Sequence, residues 1–159
     1  MPEYYISITG LKVKSPWLLP TFFYYAIPSS IQARSAPGNI DLQTTYIQGI
    51  HHTLSVWKDK KSMLTYLRQG AHLKAMKAFV TIAAFGKIYG YESDTIPTWP
   101  EARRIWESQG AVHYGAEGHR ASGNSWKVAA ISLLVVAISA AFLQGVTVRF
   151  RPLVMRATD

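Results

Sequence analysis

The stretch Asp41-Leu42-Gln43-Thr44-Thr45-Tyr46-Ile47-Gln48-Gly49-Ile50-His51-His52-Thr53-Leu54-Ser55-Val56-Trp57 is the pivot of this sequence. Asp41 to Gln48 and His51 to Trp57 both read as strands, supported by β-branched Thr44, Thr45, Ile47, Thr53 and Val56. Gly49 between them allows a tight connection or a bulge, so no helix separates the two strands.

Upstream, Tyr4 to Val13 alternates and is rich in Tyr and Ile, a strand signal that ends at Ser15-Pro16, where Pro16 suits a helix start. Trp17 to Arg34 is apolar but contains Pro20 and Pro28, which predicts a short, kinked or broken helix. Pro37-Gly38-Asn39 is a turn. Downstream, Asp59 to about Ala84 has a helical period with Leu64, Leu67, Ala71, Ala75, Ala78 and Ile82 on one face, and Gly70 weakens it or divides it in two. Gly86 to Ser93 alternates again as a last strand. Thr98-Trp99-Pro100-Glu101 then has the spacing of a capping box, opening a helix through Glu107 that ends near Gly110.

The order strand, helix, strand, strand, helix, strand predicts an α+β fold: a ferredoxin-like, split βαβ antiparallel sheet over residues 1–110 with two helices on one face. The opposite face lacks cover. Leaving its Tyr, Leu, Ile and Trp side chains in water costs ~25 cal/mol per Å², so that face is expected to meet a second subunit or another protein.

After residues 111–126, a glycine-containing linker, Val128 to Val148 runs for 21 residues without a charge, between Lys127 and the basic tail 149–159. At ~1.5 Å per residue this matches a ~30 Å hydrocarbon core, so 127–148 is expected to be a single transmembrane helix. Ala137, Ala141 and Gly145 repeat small residues every fourth position, a spacing that admits a neighbouring helix, and Gln144 is a possible pigment ligand within the membrane. Lys127 and Arg120 before the span nearly balance Arg149, Arg151 and Arg156 after it, so charge does not set the orientation.

Net charge is +8 and pI about 9.8, spread along the chain without the dense Lys/Arg block of a nucleic-acid arm. Diffuse positive charge suits an anionic lipid surface or an acidic protein neighbour. There is no cysteine, which excludes disulfides and thiolate chemistry. The opening Met1-Pro2-Glu3-Tyr4-Tyr5 has no basic segment before an apolar run, as a secretory signal would.

Candidate chemistry is sparse. His51 and His52 are neighbours on a strand, so they point to opposite faces and cannot both ligate one metal. Three or four converging ligands are not found, and neither a metal nor an intrinsic cofactor is expected. Gly86-Lys87-Ile88-Tyr89-Gly90 has the wrong spacing for a phosphate loop, and no Ser sits on a nucleophile elbow. If the domain is catalytic, His52 is the acid/base candidate. Trp17, Phe22, Phe23, Tyr24 and Tyr25 form either core, an interface, or an apolar pocket for a flat ligand. His72 is expected to pack near the helix break.

Thr53-Leu54-Ser55-Val56-Trp57-Lys58-Asp59, Gly70-Ala71-His72-Leu73-Lys74-Ala75-Met76, Gly86-Lys87-Ile88-Tyr89-Gly90-Tyr91-Glu92-Ser93 and Pro100-Glu101-Ala102-Arg103-Arg104-Ile105-Trp106 together resemble the dimeric α/β-barrel domains related to antibiotic-biosynthesis monooxygenases. The resemblance covers about residues 3–110 and implies the fold more strongly than an activity. The overall plan, a ferredoxin-like domain followed by one span, is similar to accessory photosystem I subunits of red-lineage algae. That similarity implies a non-catalytic subunit of a thylakoid complex, its soluble domain on the stromal side, with protein, lipid, chlorophyll or carotenoid neighbours and no nucleic acid. The alternative is a membrane-tethered, homodimeric monooxygenase-like or ligand-binding domain acting on an apolar aromatic substrate.

Overall fold

The computed structural model of the protein describes residues 2–115. The pivotal stretch forms a hairpin of β2 (Asn39–Ile47) and β3 (Ile50–Trp57), closed by Gln48 and Gly49. Both turn residues have positive φ, 51° and 79°, the backbone of a type I′ turn whose twist matches that of the flanking strands. The turn sets the register, with Tyr46 opposite His51, Thr44 opposite Thr53 and Leu42 opposite Ser55.

β1 (Tyr4–Val13) lies at the centre of the sheet, antiparallel to β3 on one side and to β4 (Ala83–Ser93) on the other. The sheet order is β2-β3-β1-β4-β5. Its fifth strand, Ala111–Tyr114, pairs with β4 through Phe85, Gly86, Lys87 and Ile88, within a stretch the sequence reads as the start of a linker. Four residues bounded by glycines are too few for alternation to register, and the pairing comes from the edge that β4 offers.

A single turn of 3-10 helix, Pro16–Leu18, leads into α1 (Leu19–Ser35). The two prolines shorten or break nothing: α1 runs for 17 residues. Pro20 falls in the first turn, where an amide hydrogen has no intrahelical partner, and Pro28 lies on the exposed side of the helix. The buried stripe of Phe22, Ala26, Ser29, Ser30 and Ala33 holds the helix against the sheet.

The helical stretch after β3 is divided at Gly70, as the sequence implies. α2 (Lys60–Leu67) is capped by Asp59, which accepts the Ser62 amide hydrogen at 2.7 Å, and α3 (Gly70–Ile82) follows. Gln32 of α1 clamps the junction: its amide nitrogen donates to the Gln69 carbonyl at 3.1 Å and its oxygen accepts the His72 amide hydrogen at 3.0 Å. A side chain at Gly70 (φ 60°) would run into that Gln32 amide.

α1, α2 and α3 cover one face of the sheet through two apolar clusters. Leu11, Phe22, Ala26, Phe79, Ile82 and Ala83 form one, and Tyr5, Ala33, Leu42, Trp57, Met63, Tyr66 and Leu67 the other. The opposite face is not open. α4 (Trp99–Gln109) folds back over it, and Ala102 and Trp106 pack on Ile6, Ile8, Leu54 and Val56, each of which is 0% exposed. Four helices therefore divide three to one between the faces, where the sequence predicts two helices on one face and a second subunit or another protein on the other. The Glu101 carboxylate accepts both the amide and the hydroxyl hydrogen of Thr98 at 2.8 Å and so starts α4, but what holds the helix over the sheet is tertiary: Trp106 fills the space that Gly10 leaves in β1.

The proposed linker beyond residue 115, the span 127–148 with Ala137, Ala141, Gln144 and Gly145, and the tail 149–159 lie outside the described residues. Among the described residues, no helix is long and apolar enough to cross a membrane.

Candidate functional site

Alternation along β3 sends His51, Thr53, Ser55 and Trp57 toward α1–α3 and His52, Leu54 and Val56 toward α4. The two histidines do face opposite ways, and their surroundings differ.

His51 sits in an aromatic box. Its ring lies 4.5 Å from that of Phe22, 4.6 Å from Tyr46 and 6.1 Å from Phe23. The side chain is buried and its Nδ1 has no hydrogen-bond partner. Burial, reinforced by the adjacent His52, lowers the imidazole pKa to about 4, so His51 is neutral at pH 7. One row inward, Thr44, Thr53 and Thr9 stand side by side across three strands, and the next row carries Ser55 and Ser7. All five are buried, and the Thr44 hydroxyl also lacks a hydrogen-bond partner. A band of small hydroxyl side chains thus runs between the two apolar clusters under α1. Its far end is satisfied: the Trp57 indole donates to the Ser55 hydroxyl at 2.9 Å, and the Ser29 and Tyr66 hydroxyls are bonded at 2.9 Å. Buried polar atoms without a partner cost about 1–3 kcal/mol each, and the two here lie at the end of the band nearest His51.

His52 is sealed. The Trp106 ring meets it edge-on at 4.7 Å, and the absence of a side chain at Gly10 makes room for both, since a Cβ there would lie 2.5 Å from the indole and 2.9 Å from His52 Nδ1. Trp106 is held by its Nε1 hydrogen bond to the Lys87 carbonyl at 2.6 Å, with the Lys87 ammonium 5.0 Å from the ring. Burial lowers the His52 pKa to about 4, partly offset by a hydrogen bond with the Thr9 backbone. The sequence candidate for acid/base chemistry is therefore buried beneath the chain's own helix.

His72 is fully buried near the helix break, its Nδ1 3.1 Å from the Leu67 carbonyl oxygen. The five aromatic residues of the α1 region separate. Phe22 is core, Phe23 borders His51, Tyr24 and Tyr25 line a groove between α1 and α3, and Trp17 is 90% exposed. That groove, of about 680 Å³, also holds Pro28, Lys74 and Lys77. Among the described residues, no three His, Cys, Asp or Glu side chains converge as a metal site requires. Sequence reasoning selected His52 over His51. Alternation separates the two, but only the return of α4 determines which one is enclosed.

No family model matches the chain, and no curated protein does. Solved structures do match. One is a protein from Nitrosomonas europaea provisionally named an antibiotic biosynthesis monooxygenase, with TM-score 0.53 and 15% identity over 58% of this chain and 92% of its own. A similarly named protein from Caulobacter crescentus has TM-score 0.52 and 15% identity, over 58% of this chain and 91% of its own. A protein of unknown function from Bacteroides thetaiotaomicron has TM-score 0.51 and 9% identity, over 58% and 99%. At such identities the likeness is one of fold: an α+β, ferredoxin-like antiparallel sheet with helices.

Proposed function

We propose that the domain binds a small, flat aromatic compound beside His51, under the first half of α1, and that its chemistry is of the monooxygenase-like kind. The observation that carries this reading is the neutral, partnerless Nδ1 of a buried histidine framed by three aromatic rings. Phe23 and Tyr46 are the partly exposed rings against which a planar ligand would lie, with Phe22 as the floor behind His51, and Nδ1 can accept the proton or hydrogen bond of its acidic hydroxyl. Tyr46, 42% exposed, is the ring that would swing to admit it. The fold likeness favours this reading over that of a photosystem subunit, for which none of the neighbours described above speaks.

The test uses the full-length protein with 1-naphthol as probe, following binding by fluorescence and oxygen uptake with an electrode. Saturable binding that is lost in His51→Phe and retained in His52→Phe is the expected result. Absence of saturable binding, or equal binding by the two variants, overturns the reading. We propose in addition that the uncharged 128–148 stretch tethers the domain to a membrane, which predicts that the chain pellets with membranes through a carbonate wash.

A further inference from the structure

The helical layer α1–α3 has an unusual charge. Leu19–Ser35 and Lys60–Ile82 contain no Asp or Glu, while Arg34, Lys60, Lys61, Arg68, Lys74 and Lys77 are all basic. The adjoining Asp59 is occupied in capping α2. The remaining acidic residues among the described ones belong to the segment before β1 (Glu3), the strands (Asp41, Glu92), the loop before α4 (Asp94) and α4 (Glu101, Glu107). The same layer leaves large apolar groups in water. Trp17 is 90% exposed, Tyr24 73% and Ile31 60%, and the α1–α3 groove sets Tyr24, Tyr25 and Pro28 against Lys74 and Lys77. On α2, a second concavity combines Leu64 with Lys60, Lys61 and Arg68.

We infer that the α1–α3 layer rests on an anionic bilayer surface, with Trp17, Tyr24 and Ile31 entering the headgroup level and the exposed Lys60, Lys61, Arg68, Lys74 and Lys77 paired with lipid phosphates. Charge complementarity and the kind of apolar residue exposed argue for this occupant together. Trp and Tyr favour the membrane interface because one end of the ring is apolar and the other polar, and basic residues around them add attraction to anionic lipid. An acidic protein face would neutralise the cations but give the bare Ile31 and Trp17 no apolar depth, and a nucleic acid backbone would do the same. This inference is independent of ligand binding at His51 and does not require the 128–148 stretch to span.

The chain has no cysteine, so one introduced at an exposed site can be labelled alone. In the full-length protein, Tyr24→Cys on the layer and Ser108→Cys on α4 would each carry an environment-sensitive nitrobenzoxadiazole group. Each labelled protein would be mixed with nanodiscs of phosphatidylcholine, with or without phosphatidylglycerol. Emission at position 24 is expected to rise, shift to the blue and become quenchable by spin-labelled lipid only when phosphatidylglycerol is present. High salt, or Lys74→Glu with Lys77→Glu, is expected to reverse the change, while the label at position 108 stays unchanged. Circular dichroism would confirm that each variant is folded. A label at position 24 that ignores phosphatidylglycerol overturns the inference. So does an equal response at position 108, or a change in neutral discs that grows with protein concentration, which would mean that a second copy covers the face.

Discussion

The two faces of one sheet are built to different rules. Under α4 the centre of the sheet is apolar: Ile6, Ile8, Leu54 and Val56 meet Ala102 and Trp106, with His52 edge-on to the indole. The buried polar groups on this side, Gln43 and Thr45 of the edge strand β2 and the partnerless indole nitrogen of Trp99 at the start of α4, lie toward its margins. Under α1–α3 the same strands carry Ser7, Thr9, Thr44, Thr53 and Ser55, with two polar atoms left without partners. Apolar packing contributes stability with little chemistry. A hydroxyl-lined interior gives up some of that stability and retains groups able to recognise a ligand. With strand period two, each residue of β3 serves one rule or the other, and adjacent His51 and His52 fall on either side of the divide.

The sharpest way to break the contrast is Trp106→Ala, which empties the apolar centre. A loss of about 3–5 kcal/mol is expected from the vacated volume, read as a lower denaturant midpoint. Acid attacks both faces at once. Both imidazoles are depressed from 6.5 to about 4, so the unfolded chain takes up protons first. Their contribution is complete above pH 6.5 and is lost as pH falls toward 4, with a slope approaching about 1.4 kcal/mol per pH unit for each ring. Denaturation at stepped pH should show this slope, and His52→Phe should remove its share and leave that of His51. On the polar face, Tyr66→Phe strands the buried Ser29 hydroxyl and is expected to cost about 1–2 kcal/mol, again by denaturant midpoint. Glu101→Ala removes the carboxylate that accepts from Thr98 and should lower the denaturant midpoint slightly, with faster amide exchange in the first turn of α4 as its local sign. The smallest effect belongs to the exposed Arg103–Glu107 pair, 2.7 Å apart, where Glu107→Gln should cost about 0.3–0.5 kcal/mol.

Much of this architecture is legible in the sequence because it is written locally. Alternation in Tyr4–Val13 and across the hairpin, the helical period after Asp59, the break at Gly70 and the Thr98/Glu101 pair each depend on residues within a few positions. The failures are tertiary. Pro28 looks like a helix breaker until its position on the solvent side of α1 is known. The sheet face looks open until Trp106 is seen to need the space left by Gly10, nearly a hundred residues earlier in the chain. The choice between His51 and His52 turns on that same contact. Likewise, dispersed lysines do not announce that one layer lacks acids until α1, α2 and α3 are brought side by side.

Gly10 has a consequence for how this chain can diverge. The void in β1 and the indole that fills it form a key and a notch in backbone that cannot yield, so a side chain gained at position 10 would be tolerated only alongside a smaller ring at 106. Among homologues the two positions should change together, and a lineage that has lost the tryptophan should be the one in which the glycine is free to drift.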